Sequence, residues 1–195
     1  KNMQVFINPD NSSWNGILQR PAFDTRQLEG TVAAILAEVR LNGDAAVKKY
    51  ALQFDKVEPN ELKVTAGEID EALNLVDEKL KAAIQIAKDN ITAFHQSQKE
   101  AVTPIETTNG VVCWRKSVGI EKVGLYIPGG TAPLFSTLLM LGIPAMLAGC
   151  KEIVVCTPPD KNGKINPVIL YVAQLIGLKN IYNQISDISL ILILS

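Results

Sequence analysis

A glycine-containing loop between a short apolar segment and a helix is the part of this sequence best suited to chemistry. It runs from residue 124 to residue 136 and reads Gly-Leu-Tyr-Ile-Pro-Gly-Gly-Thr-Ala-Pro-Leu-Phe-Ser. Glycines let a backbone approach a ligand closely, and the first turn of the following helix offers unpaired N–H groups to an anion. The pattern predicts a site for a nucleotide or a substrate.

Tyr126 ends the apolar segment that enters this loop. If that segment is a strand of a parallel sheet, its phenol lies at the carboxyl edge, where open α/β folds bind ligands. The ring could stack on a planar group while its hydroxyl bonds a ribose or phosphate, or it could simply close the sheet edge; the residues alone leave both open. Neither Gly-x-Gly-x-x-Gly nor the Walker pattern occurs, so a nucleotide would be bound in another way.

Other reactive side chains give weaker signals. His95 is the only histidine; one imidazole cannot build a metal site, and no Ser or Cys at a suitable offset pairs with it as a general base, so a structural role is favoured. Acidic residues fall at predicted helix starts, where they complement the helix dipole rather than form a catalytic pair. They are Glu68, Asp70, Glu71, Asp77 and Glu78.

The three cysteines fit neither a disulfide framework nor a zinc motif. We expect Cys113, Cys150 and Cys156 to be reduced and mostly buried, because the last two flank the apolar residues 153–155, where a small thiol fills space. A nucleophilic cysteine is the less favoured alternative.

Composition excludes several classes of protein. With 195 residues, 47% of them apolar, and a net charge of -1, the chain is long enough to bury a core as one large or two small domains. Basic residues form no patch, so nucleic acid is not an expected partner. No stretch of eighteen apolar residues and no signal-peptide pattern occurs, so we expect no membrane partner and a cytoplasmic location.

The first hundred residues predict helices almost throughout. A short helix near 13–18 stops at Arg20-Pro21, and a longer one is capped by Thr25 and ends at Asn42-Gly43. Asp44 is expected to cap the next helix, over 45–54.

Two more helices and a short strand complete this half of the sequence. Residues 62–64 indicate the strand, and Thr65 with Glu68 forms a capping box that opens a helix reaching Val76. From Asp77 the helical pattern restarts, with an apolar stripe that requires a partner helix. The stripe consists of Leu80, Ile84, Ala87, Ile91 and Phe94.

After Pro104 the sequence predicts sheet. Asn109-Gly110 is typical of a hairpin turn. The elements that follow are strands at 111–114 and 122–127, a helix at 135–148 kinked by Pro144, a strand at 152–157, a helix at 167–176 and a strand at 180–182. Strands alternating with helices indicate a parallel sheet. We therefore predict an α/β fold: a helical N-terminal region (1–103), a half Rossmann-like parallel βαβαβ unit (104–183) and an atypical tail (184–195).

In several stretches of its sequence the chain resembles the histidinol dehydrogenase family. The matching stretches are Leu18 to Ala22, Gly43 to Ala46 with Tyr50 and Phe54 to Lys56, Asn90-Ile91 with Phe94-His95 and Gln98-Lys99, Val123 to Ser136, Pro144-Ala145 with Ala148 to Cys150, and Thr157 to Pro159. Together they cover residues 1 to about 183. The glycine loop is the most specific of them.

The resemblance implies a zinc-dependent homodimer that oxidises L-histidinol to L-histidine in two NAD-linked steps, through an aldehyde held on the enzyme. It also implies paired, incomplete Rossmann-type domains. By resemblance Tyr126 lines the NAD site, Pro128 and Gly129 neighbour it in the loop, and Phe54 lies nearby.

The sequence also departs from the family pattern. The family continues with a Gly-Gly-Ala-Gln segment, a second Rossmann-like half, the zinc ligands and a glutamate–histidine pair that moves protons, and none of these occurs here. We therefore assign no catalytic or metal residue and expect the chain to be inactive alone; the alternative is a non-catalytic nucleotide-binding or assembly module. Residues 184–195 resemble nothing in the family, and we expect a truncated, out-of-frame ending or, alternatively, a terminal strand.

Overall fold

The computed structural model describes residues 4–20, 26–57, 61–129 and 133–183. The predicted α/β architecture is confirmed. A 3-10 turn at Asn11–Ser13 precedes five helices: α1 (Trp14–Ile17), α2 (Arg26–Asn42), α3 (Asp44–Asp55), α4 (Ala66–Leu75) and α5 (Glu78–Gln96). The sheet region follows, with β1 (Ile105–Thr108), β2 (Val111–Cys113), β3 (Lys122–Tyr126), α6 (Phe135–Leu147), β4 (Glu152–Thr157), α7 (Pro167–Leu175) and β5 (Asn180–Asn183).

Three parallel strands form the main sheet in the order β3-β4-β5. The segment 62–64 adds to the outer edge of β5 through an antiparallel bridge between Lys63 and Tyr182. Two hydrogen bonds hold it there: the Val64 amide donates to the Ile181 carbonyl at 2.9 Å, and the Asn183 amide donates to the Leu62 carbonyl at 2.7 Å. The segment predicted as a short strand at 62–64 therefore pairs with the sheet, but through a single isolated bridge at Lys63 rather than as a strand.

One hydrophobic core joins the helices α4 and α5 to the sheet region. Helix α5 packs on α6 and α4 packs on α7, so the apolar stripe of α5 has the partner helix that it requires, except at Phe94, which is 63% exposed. Ile84 from α5 lies in the same buried cluster as Ile127 and Val155. A second, smaller cluster between α2 and α3 contains Ile35, Val39, Ala46 and Val47. The division at 103/104 stays a prediction.

Of the capping residues predicted for α3, α4 and α5, those of α4 and α5 are confirmed and that of α3 is wrong. The capping box is present: the Glu68 amide donates to Thr65 Oγ1 at 3.3 Å, and the Thr65 amide donates to Glu68 Oε2 at 2.8 Å. Asp77 caps α5. The prediction that Asp44 caps α3 is wrong, because Gly43, with a φ of 54°, is the single residue between α2 and α3, so Asp44 is already inside the helix. The Thr25 cap and the 184–195 tail lie outside the described residues.

Strands β1 and β2 form an antiparallel hairpin with its turn at Asn109-Gly110, as predicted. Every residue of both strands is exposed. The expectation of mostly buried cysteines is therefore wrong for Cys113, which lies on this hairpin, whereas Cys150 is half-buried and Cys156 is buried; all three are free thiols. None of the described helices is long and apolar enough to cross a membrane.

Candidate functional site

The carboxyl ends of the three parallel strands bring distant parts of the sequence to one edge of the sheet. Tyr126 ends β3 and is half-buried, in register with Cys156 of β4. The next residue, Ile127, is fully buried, and its amide donates to the Cys156 carbonyl at 2.9 Å. Tyr126 is thus held at the carboxyl edge, the position that the sequence predicts.

Gly129 packs against the loop that follows β4. A Cβ atom built on Gly129 would lie 2.5 Å from Cγ of Pro158, far inside ordinary van der Waals contact. Pro128 and Gly129 are both exposed. The absence of a side chain therefore lets this backbone pass close to Pro158 while it remains open to solvent. The sequence analysis named Pro158 within a matching stretch but gave it no role.

The N-terminus of α6 follows the glycine loop closely in sequence. Its N-cap residue, Leu134, makes no capping hydrogen bond through its side chain, and the first turn contains no acidic residue. The amides of Thr137 and Leu138 are paired with the Leu134 carbonyl. Because the first turn of α6 itself carries no carboxylate to neutralise the positive end of the helix dipole, an anion near this end would be stabilised. Residues 130–132 lie outside the described part of the chain.

Asp160 orders the loop after β4. Its Oδ1 accepts the Asn162 amide at 2.8 Å and the Lys164 amide at 3.0 Å. These hydrogen bonds, chiefly that from Lys164, lower the pKa of the Asp160 carboxyl below its ordinary value. The segment after α3 reaches the same loop, since a Cβ on Gly163 would lie 3.4 Å from Val57.

A polar cluster joins α2 to α3. The Tyr50 hydroxyl donates to Glu38 Oε2, and Lys49 Nζ lies 2.6 Å from Glu38 Oε1. The hydrogen bond from Lys49, followed by that from Tyr50, lowers the pKa of Glu38, and the same contacts raise the pKa of Lys49 and of Tyr50. The Tyr50 ring stacks on Phe54 with centroids 5.9 Å apart. A place for Phe54 in the NAD site stays a prediction.

The described residues contain no group of three or more His, Cys, Asp or Glu that could hold a metal ion. His95 Nδ1 lies 2.8 Å from Gln98 Oε1, one turn further along the chain, and its ring meets Phe94 edge-on. Burial raises the pKa of the Cys156 thiol to about 12, so this cysteine is not a nucleophile near neutral pH.

The sequence of this chain is similar to histidinol dehydrogenases along most of its length. The family model described as histidinol dehydrogenase matches residues 18–185. Histidinol dehydrogenase of Bacteroides fragilis is 55% identical over 180 residues, which are 92% of this chain and 42% of the relative. The corresponding protein of Campylobacter jejuni is 45% identical over 181 residues, 92% of this chain and 41% of the relative.

A solved structure shares the fold as well as the sequence. The crystal structure of histidinol dehydrogenase from Elizabethkingia anophelis superposes with a TM-score of 0.89 at 50% identity, covering 96% of this chain and 43% of that one. The chain thus spans less than half the length of the relatives that it matches. The resemblance seen in the sequence is confirmed over nearly the whole chain.

Proposed function

The chain belongs to the histidinol dehydrogenase family, and on that premise we propose that it forms the NAD-binding part of an oxidoreductase of histidine biosynthesis. The reaction is the oxidation of L-histidinol to L-histidine in two NAD-linked steps through an enzyme-held aldehyde. Since the chain spans 42% of the Bacteroides fragilis relative, the complete reaction is a property of the longer enzyme. The family resemblance also supports a homodimer in the cytoplasm.

The observation that carries the proposal is the position of the Tyr126–Gly129 loop at the carboxyl edge of a parallel sheet. Ligands of open α/β folds bind at this edge. Tyr126 offers a ring for stacking and a hydroxyl for hydrogen bonding, while Pro128 and Gly129 offer an exposed backbone. NAD, when bound, supplies the acceptor for a hydride. The contribution of this chain is to bind and orient that acceptor.

Zinc does not fit the residues described here. A zinc site needs several converging ligands, and the described part of the chain has no such group. We therefore assign neither the zinc ligands nor a proton-transferring pair to this chain, and propose that it does not oxidise histidinol by itself. This same observation favours the second candidate, a non-catalytic nucleotide-binding or assembly module.

Calorimetric titration with NAD tests the binding site. We expect saturable binding that weakens about five- to 150-fold in Tyr126→Ala, because one stacking contact and one hydrogen bond together contribute roughly 1–3 kcal/mol. Tyr126→Phe should lose only the hydrogen-bonding part. Tyr171→Phe, in α7 rather than in the Tyr126–Gly129 loop, is the matched control for Tyr126→Phe and should bind as the parent does. No binding at millimolar NAD would reject the assignment of Tyr126.

A turnover assay separates the enzyme part from the non-catalytic module. The purified chain, given histidinol, NAD and zinc, should produce no NADH. A chimera in which residues 18–185 replace the matching part of the Bacteroides fragilis relative should regain turnover if the chain is an enzyme part. Turnover by the isolated chain would contradict our assignment of zinc and proton transfer to the rest of the enzyme, and a folded but inactive chimera would favour the module.

A further inference from the structure

Asparagine is followed by glycine at several places in this chain, and such a pair has a chemistry of its own. The glycine nitrogen attacks the side-chain carbon Cγ of the asparagine, since the absence of a glycine side chain leaves the approach open. Ammonia is lost, a five-membered succinimide ring forms, and water opens the ring to aspartate or isoaspartate. The four pairs are Asn15-Gly16, Asn42-Gly43, Asn109-Gly110 and Asn162-Gly163.

Two of these pairs are held by hydrogen bonds that oppose the reaction. The Gly43 amide donates to the Val39 carbonyl at 2.8 Å, where α2 ends. The Gly163 amide donates to the Asp160 carbonyl at 3.0 Å, and both the backbone amide and the side chain of Asn162 donate to the Asp160 carboxylate. A backbone carbonyl is a very weak base, so the hydrogen-bond acceptor of each glycine nitrogen does not remove its proton.

The pair Asn15-Gly16 lies within helix α1. Helical backbone has a ψ of about −42°, and closure of the succinimide ring requires the ψ of the asparagine to leave this region. The helix must therefore open before Asn15 reacts.

The pair Asn109-Gly110 differs from the others in what its glycine amide contacts. The Gly110 amide donates to Oε1 of the Glu106 side chain at 2.8 Å. A carboxylate is a base, and a general base must lie within hydrogen-bond reach of the proton that it takes. All four pairs are within the described residues, and this is the one whose glycine nitrogen is bonded to a carboxylate side chain.

The turn that contains Asn109 is also free to change shape. Glu106, Asn109 and Gly110 are all exposed, as is every residue of β1 and β2. A two-stranded hairpin without a buried face is marginally stable and opens locally. The turn therefore reaches the conformation that ring closure needs without unfolding of the core.

We propose that Asn109 is a site of self-catalysed deamidation, with Glu106 as the general base. The Glu106 carboxylate takes the proton of the Gly110 amide as that nitrogen forms its bond to Cγ of Asn109. The bond between Cγ and Nδ2 of Asn109 then breaks, and the proton passes from Glu106 to the leaving nitrogen, which departs as ammonia. Water adds to either succinimide carbonyl and leaves a new carboxylate beside Glu106. The inference does not depend on the proposed function.

Incubation of the purified chain at neutral pH, followed by peptide mass mapping, tests the site. Chromatography separates peptides that contain asparagine, aspartate and isoaspartate, so each pair gives a rate of its own. Asn109 should convert at least about tenfold faster than Asn42 and Asn162, because general-base catalysis contributes factors of this size or more, and it should also convert faster than Asn15. An equal or faster rate at any of these three residues overturns the proposal.

Glu106→Gln tests the base. Glutamine keeps an oxygen that accepts the Gly110 amide but does not take its proton, so conversion of Asn109 should slow by about tenfold or more. Glu152→Gln, which removes an equal charge from an exposed residue at the start of β4, is the matched control and should leave the rate at Asn109 unchanged.

The direction of the change in Glu106→Gln separates the base from two other roles. A carboxylate that acted only as a nearby negative charge would disfavour loss of the Gly110 proton, so its removal would speed the reaction. A carboxylate that only braced the turn would also give a faster reaction when removed, because a looser turn closes the ring more often. An unchanged or faster rate in Glu106→Gln therefore overturns the proposal.

The same measurement in guanidinium chloride separates the fold from the local sequence. In the unfolded chain the contact between Glu106 and Gly110 is not held, so all of the Asn-Gly pairs should convert at similar rates and Glu106→Gln should have no effect. If Asn109 keeps its full advantage in the unfolded chain, the contact described here does not cause it and the proposal is wrong.

Discussion

Substitution of Gly119 by alanine tests how the segment between the β1–β2 hairpin and β3 is anchored. The new Cβ would lie 2.5 Å from the Ala148 carbonyl oxygen, 2.8 Å from the Gly149 carbonyl carbon and 2.9 Å from its oxygen. All three are backbone atoms, so no side chain can rotate away. Ordinary contact begins at 3.4 Å. The backbone at the end of α6 or the segment that contains Gly119 must therefore move by the difference, 0.9 Å, before Gly119→Ala fits.

We expect Gly119→Ala to destabilise the protein as the insertion of an extra methyl group into a packed site does. Such insertions lower the free energy of unfolding by about 1–3 kcal/mol, and contact with three backbone atoms favours the upper half of that range. For a chain of this length each kcal/mol corresponds to roughly 2–4 °C, so the melting temperature should fall by about 4–12 °C.

Urea unfolding followed by circular dichroism measures the effect. The midpoint of Gly119→Ala should fall while the slope of the transition is unchanged, because the surface exposed on unfolding is the same. Gly67→Ala is the matched control: Gly67 is in α4, a Cβ there meets nothing within 4 Å, and alanine should stabilise the helix by roughly 0.5–1 kcal/mol. A midpoint for Gly119→Ala equal to or above that of the parent would refute the reasoning.

Three other outcomes follow from burial and pKa. Ile84→Ala, at a side chain 1% exposed, should lower the free energy of unfolding by about 2–5 kcal/mol, whereas Ile86→Ala, 64% exposed on the same helix, should change it by less than about 0.5 kcal/mol; urea midpoints measure both. Cys156, with its pKa raised to about 12, should react with a thiol reagent at mildly alkaline pH only after unfolding. The lowered pKa of Glu38 means that its ionised form stabilises the fold above the ordinary value of 4.5, and that this stability is lost as the pH falls through the lower folded-state pKa. Glu38→Gln should remove this part of the acid dependence, measured as urea midpoint against pH, and an unchanged dependence would contradict the role given to the Lys49 contact.

The sequence by itself determined the elements whose causes are local. The capping box at Thr65 and the cap at Asp77 begin α4 and α5 where predicted, because the bonded groups lie within three residues of each other. The alternation of strands and helices after Pro104 predicted a parallel sheet, and β4 has the predicted bounds. The glycine loop also identified the family, since a short run of residues carries that signature.

Only the tertiary structure decided the features that depend on residues far apart in the chain. Lys63 bridges to Tyr182, which closes the outer edge of the sheet with a segment from the helical half. Gly129 meets Pro158 across two loops. The exposure of Cys113 is of the same kind, because apolar residues at 102–120 resemble core until the packing shows that nothing in the described chain buries them. Local patterns fix how a backbone starts, turns and ends, whereas burial is set by the partner surface, and a sequence does not state which surface that is.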